Sequence, residues 1–245
     1  MVIKDSFGEG FREALIMCVL TYIPHADGRV TITHNRDEHI SRPKALPPQN
    51  YLIDNEQVSF PKDPQGGGTW FAVHQDWICC LLNGAFEAHL SQPPYRVSRG
   101  TIITGFFQNP DIQDFIKRFE PQGIEPFTFL AFDLKSKKIH QMVWNEHILQ
   151  IRHLDAEQTH IWSSSTLYNA NIKATRAQIF KQFAGIKPTQ QQVVDFHKVN
   201  IDNDLHQSFF VNINEKIKTV AITQVTGRHG AMKLRYMPFY DKQKI

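Results

Sequence analysis

Long apolar runs are missing from this sequence. No segment comes near the roughly 20 apolar residues that cross a bilayer as a helix, which excludes a helical membrane protein. Cysteine is scarce: the 245 residues hold three, two of them adjacent at Cys79 and Cys80. Three cysteines so placed cannot build a disulfide framework, so the chain is expected in a reducing compartment, the cytoplasm. A charge surplus is lacking too. Lys and Arg number 27 against 24 Asp and Glu, a net charge of +3, and no basic run offers a footprint for nucleic acid. Repeats, linkers and low-complexity tracts are absent. What is present is a globular composition, 41% hydrophobic and 21% charged, long enough to bury a sizeable core.

Residues 1–17 stand apart. They carry Asp5, Glu9 and Glu13 and no apolar core, which excludes a secretory signal. Three readings fit: a start site assigned too early, with Met17 the initiator; a removable pro-segment; or an ordinary N-terminal helix. Residues 18–245 then form a single domain. Strands are expected at 18–24 and 29–35 around Asp27-Gly28, a strong hairpin signal, and both faces of that hairpin carry apolar groups, so both must be covered. Residues 41–50 read as a polar, Pro-rich connection. Further strands are expected at 69–75, 77–83, 128–134, 139–145, 147–153, 160–165, 218–227 and 231–239. Helices are expected at 98–107, after an Asn109 cap with Pro110 in the first turn, at 171–184, and from a Thr189/Gln192 capping box. Strand clusters with helices between them make an α+β fold with mostly antiparallel sheets.

The hairpin register brings chemistry together. A two-residue loop sets Cys18 opposite Asp37, and a four-residue loop sets it opposite Asn35. Either way the thiol lies across from Asn35-Arg36-Asp37-Glu38, which reads as following the second strand. A guanidinium beside a thiol favours the thiolate. If Met17 is the initiator and is removed, Cys18 heads the chain. Its α-amine, with a pKa of about 7.7–8.0, is then a base for its own thiol. Arg36 would polarise the thiol or hold a carbonyl, and Asp37 would orient the α-amine. Sequential strand residues point to opposite faces, so both serve one site only where the strand bulges or ends. In isolation, a cysteine at a strand start is more often a small buried hydrophobe, and Asn-Arg-Asp-Glu more often a solvated turn.

Other features favour structural readings. Gly66-Gly67-Gly68 lacks the Lys and Ser/Thr of a phosphate loop and reads as a tight turn. Twelve histidines include no His-Glu-x-x-His, and the cysteine spacing fits no zinc site, so neither metal nor cofactor is expected. His34 and His39 flank the motif and read as surface histidines before ligands. Cys79 and Cys80 should pack on opposite faces of a buried strand.

Met17-Cys18 opening a strand, Asn35-Arg36-Asp37-Glu38, Ser41-Arg42-Pro43, Gly67-Gly68-Thr69-Trp70 and Asn83 ending a strand resemble, in order and spacing, the NRDE or Tango-two-like family of transport-and-Golgi-organisation proteins. The resemblance implies an N-terminal-nucleophile-hydrolase-like fold, a four-layer αββα sandwich whose functional chain begins at Cys18. Similarity to the cysteine amidases of that fold implies a catalytic set of Cys18, Arg36, Asp37 and Asn83, with Asn83 donating to the oxyanion. Asn35 and Glu38 would stand beside substrate. Where those amidases carry a further Asn, the segment Trp162–Leu167 supplies Ser165; where they carry a late Arg, the nearest base is Lys218, which cannot repeat a bidentate contact. Two readings follow. The protein cleaves a small linear amide through Cys18, or it binds and shuttles haem or an acyl-lipid on the same fold. Its partner in both is a small molecule.

Overall fold

Asp27-Gly28 turns the chain where the apolar alternation requires it. The computed structural model describes residues 18–165, 170–201, 204, 207–213 and 215–240. In it β1 (Cys18–Pro24) and β2 (Val30–His39) pair antiparallel, with Cys18 opposite Arg36 and Pro24 opposite Val30. This register falls between the two expected ones. Gly28 sits at φ +79°, its N–H donates to the His25 carbonyl, and the His25 N–H donates to Arg29. The loop therefore has three residues, closed by a left-handed glycine that shifts every pair by one. Asn35 to Glu38 also lie inside β2, not beyond its end.

The chain next builds a seven-stranded sheet in sequence order. Its strands are β3 (Leu46–Ile53), β4 (Glu56–Lys62), β5 (Phe71–Val73), β6 (Trp77–Asn83), β7 (Phe127–Asp133), β8 (Lys138–Trp144) and β9 (Leu149–Leu154). The first two correct the expected Pro-rich connection. β3 is a mostly exposed edge strand with a register shift between Leu46 and Gln49, which is where a strand tolerates Pro47 and Pro48. The other sheet has six strands: β10 (His160–Ser163), β1, β2, β12 (Ile217–Arg228) and β11 (Asn212–Ile213) in that order, with β13 (Ala231–Pro238) also on β12. Every recorded strand pairing in both sheets is antiparallel.

Period-two alternation divides the buried residues among three cores. Leu20, Tyr22 and Ile32 of the six-stranded sheet meet Phe71, Cys80, Leu130 and Phe132 of the seven-stranded one. On the outer face of the seven-stranded sheet, Cys79, Phe129 and Met142 pack under α1 (Thr101–Phe106) and α2 (Ile112–Arg118). On the outer face of the six-stranded sheet, Val19 and Ile23 pack under α3 (Ala170–Gly185) and α4 (Gln190–His197). Cys79 and Cys80 do part to opposite faces. α2 starts later than Asn109 suggests, because Asp111 is extended and its carboxylate accepts from the Asp114 N–H, while the Thr189/Gln192 box caps α4 as read. Among the described residues no helix is long and apolar enough to cross a membrane. Residues 1–17, Thr166, Leu167 and 241–245 lie outside the described residues, and with them the question of the N-terminal segment.

Candidate functional site

Three strand ends gather at one edge of the two sheets: the start of β1, the end of β2 and the end of β6. They bring Cys18, Arg36, Glu38 and Asn83 to the wall of one cavity of about 270 Å³. Cys18 and Arg36 are directly paired across β1 and β2, so their side chains share a face. The Arg36 guanidinium stacks 4.2 Å from the centre of the Trp70 ring and reaches Glu38 Oε2 at 3.3 Å and Asp63 Oδ2 at 3.1 Å. Arg42 reaches the same Asp63 oxygen at 2.7 Å. A cation held by two carboxylates and a ring face has little freedom, so Arg36 presents a fixed charge.

The opposite wall comes from the segment between β6 and β7. Arg99 pairs with Glu125 at 2.9 Å and donates to the Pro126 carbonyl at 3.1 Å; Glu125 also meets His89 at 3.3 Å. Gly68 explains part of the glycine run, because a Cβ there would lie 2.2 Å from the Gly100 backbone. The glycines let two chain segments close on each other beside the cavity, and the Thr69 N–H donates to the Gly100 carbonyl.

The remaining expected residues lie elsewhere. Asn35 and Asp37 point to the helix side of β2, as strand parity requires, since the bulge at this point falls in β12 between Thr219 and Ala221 and not in β2. Asn35 donates to the carbonyls of His197 and Phe209, at 2.9 and 2.8 Å, and pairs with His197 Nδ1 at 2.8 Å. Asp37 accepts from the Thr219 hydroxyl at 2.5 Å; burial pushes its carboxyl up to about 8 against the pull of the Thr219 bond and the Arg176 charge. Ser165 donates to the Ala85 carbonyl, and Ser164 to that of Asn83, so this pair fastens β10 to the end of β6. Lys218, opposite Glu38 in β12, lines a neighbouring cavity. His34 is buried between the sheets, edge-on to Phe71 at 6.2 Å, and not at the surface. Burial pushes it, like His197, down to about 3.

Cys18 itself is buried, and desolvation pushes its thiol up to about 12, with the Asp37 charge adding to the rise. The Asp37 backbone N–H and the Arg36 charge pull the other way and lose. Among the described residues no cluster of three metal-ligating side chains occurs.

A family model described as Transport and Golgi organisation 2 matches residues 17–233. The chain belongs to that family. No curated protein matches it. The resemblance read from Met17 to Asn83 thus extends through both walls of the cavity, and Transport and Golgi organisation 2 membership covers the fold from β1 into β13. Sequence reasoning missed Asp63, Arg99, Glu125 and Tyr95. Three of these sit in loops, and Glu125 just before β7; the 95–100 stretch lines the cavity with Cys18, where Gly68 closes on Gly100. The glycine run was the available signal.

Proposed function

We propose that this protein is a cysteine amidase of the N-terminal-nucleophile type, acting on a small linear amide when Cys18 heads the chain. The two facing sheets with a helix pair on each outer side are, in this reading, the four-layer αββα sandwich of those hydrolases. One observation carries the proposal: Cys18 lies opposite Arg36 on a shared wall with Asn83, in a cavity.

The chemistry needs a base, and among the described residues no histidine lines the cavity to serve as one. In the full chain the Cys18 nitrogen is an amide joined to Met17, and the buried thiol keeps its proton at neutral pH. A free α-amine would take the Sγ proton as the sulfur attacks the substrate carbonyl. The C–S bond forms, the carbonyl electrons move onto oxygen, and the Asn83 amide donates to that oxyanion. The ammonium returns its proton to the leaving nitrogen as the C–N bond breaks, and water then opens the thioester. Arg36 holds the substrate carbonyl or the thiolate with its fixed charge. Asp37 acts on the Cys18 end of β1 from the other face of the strand. Asn35 and Ser165 hold the walls in place, and Glu38 anchors Arg36.

A haem or acyl-lipid carrier is less well supported. About 270 Å³ is at the small end of ligand cavities, and no histidine is among the described residues lining it. The test is intact mass after incubating protein that begins at Cys18 with a panel of small N-acyl amides. A Cys18 acyl adduct, missing in Cys18→Ala, is expected. Neither adduct nor amide cleavage across the panel overturns the proposal.

A further inference from the structure

A strand at a sheet edge carries unpaired N–H and C=O groups that invite another chain, and folds guard such edges with short strands, Pro, Lys or bulges. Among the described residues every edge but one is guarded. In the six-stranded sheet β10 has four residues and β11 two, while β13 carries exposed Lys233, Arg235 and Pro238. In the seven-stranded sheet β3 carries Pro47, Pro48 and a register shift. β9, at the other edge, has none of these devices: it pairs with β8 without a break and contains neither Pro nor Lys. Ile148 is 63% and Ile151 37% exposed along it. The Asn145 N–H donates to the Ile148 carbonyl, and hydrogen-bonded pairs alternate inward from there. The main-chain groups of Gln150, Arg152 and Leu154 therefore face β8, and those of Leu149, Ile151 and His153 face the free edge.

We propose that β9 is a homodimer interface, with two copies pairing antiparallel about a two-fold axis at Ile151 and joining their seven-stranded sheets. The strand is self-complementary in that register. Directly opposed residues share a face, so Ile151 meets Ile151 of the second copy, Leu149 meets its His153, and Ile148 covers its Leu154. Gln150 meets Arg152, and the symmetry repeats each of these contacts. The buried Gln150 Oε1 has no hydrogen-bond partner among the described residues, and the guanidinium of Arg152 in the second copy is a donor directly opposite it. Moving the axis by one residue sets Arg152 against Arg152 or Gln150 against Gln150, so the register is specified. Leu149, Ile151 and His153 together exchange about six main-chain hydrogen bonds with the second copy. A contact of that size is at the small end of specific interfaces, so the dissociation constant should be on the order of 10 µM. None of residues 148–154 lines the Cys18 cavity, so the dimer and the amidase reading stand or fall separately.

Sedimentation velocity of the full chain from about 1 to about 200 µM tests the pairing, because that range brackets the expected constant. The sedimentation coefficient should climb from the monomer to the dimer value. Ile151→Lys sets two ammonium groups at the axis and should weaken the dimer about tenfold or more. Ile151→Pro removes a donor that faces the free edge, so the β8–β9 pairing survives while the dimer is lost. Amide exchange in the unaltered chain locates the contact even if a variant folds poorly. Leu149, Ile151 and His153 should exchange slowly at high concentration and fast when dilute, while Gln150 and Arg152 stay slow in both. Three results would overturn the proposal: a monomer throughout, a dimer that persists in both Ile151 variants, or edge amides already slow in the monomer. The last would mean that the chain covers β9 with a segment of its own.

Discussion

The two faces of β2 divide one tetrapeptide between opposite tasks. On the helix side, Asn35 and Asp37 are fully buried and tied to His197, Phe209 and Thr219. On the other side, Arg36 and Glu38 line the cavity with Cys18. The helix side even holds a nucleophile, base and orienting group in sequence: Thr21 Oγ1 lies 2.8 Å from His197 Nε2, and His197 Nδ1 lies 2.8 Å from Asn35. All three residues are wholly buried and line neither cavity, so the trio is a structural tie. Access to a cavity, more than residue type, separates a site from a core.

That contrast breaks most visibly at Asn35. Asn35→Leu strands two carbonyls and an imidazole nitrogen in the interior, an expected loss of about 4 kcal/mol and a melting temperature roughly 8–16 °C lower. Glu38→Gln, on the cavity side, keeps an acceptor and should cost only about 1 kcal/mol. Thermal melts of the two variants decide it, and equal losses would erase the distinction.

Acid comes next. His34 and His197 are held neutral near pKa 3 by burial, while the unfolded chain takes up protons below about pH 6.5. Their stabilisation is therefore full above pH 6.5 and is lost as pH falls toward 3, by about 1.4 kcal/mol per pH unit for each histidine. Urea unfolding between pH 4 and 7 should show that slope less about one histidine's share, because the Asp37 carboxyl, pushed up to about 8 by burial, loses stability as pH rises over the same range. His34→Leu should remove one histidine's share at the smaller cost of the His34 contact with the Leu81 backbone. His197→Leu removes the same share but also breaks the Thr21 and Asn35 ties, so it should be the less stable variant throughout.

The smallest effect lies on the cavity side. Arg36→Met should slow alkylation of Cys18 roughly threefold, the effect of half a pKa unit, since burial and not Arg36 dominates that thiol. A mass-based labelling rate measures it, and an unchanged rate would remove Arg36 from the electrostatics of Cys18.

Much of this architecture is legible in the chain. The Asp27-Gly28 hairpin, the splitting of Cys79 from Cys80 and the Thr189 box follow from local rules. The opposed faces of Arg36 and Asp37 follow from strand parity alone. Which face opens on a cavity does not, because it depends on how the seven-stranded sheet and the 95–100 loop close over β2. The exact pairing of Cys18 was one residue off in either expected form, because a single left-handed Gly28 changes loop parity. β3 was hidden by Pro47 and Pro48, and the Arg99–Glu125 wall by its origin in a long irregular segment.

The account turns on whether Cys18 gains a base when it heads the chain. The direct measurement is the alkylation rate of Cys18 against pH, in the full chain and in protein beginning at Cys18. The full chain should label slowly, with no step below pH 10, as befits a thiol pushed up to about 12. Protein beginning at Cys18 should show a titration step near the α-amine value, about 7.7–8.0, and faster labelling above it. Superimposable profiles would contradict the account.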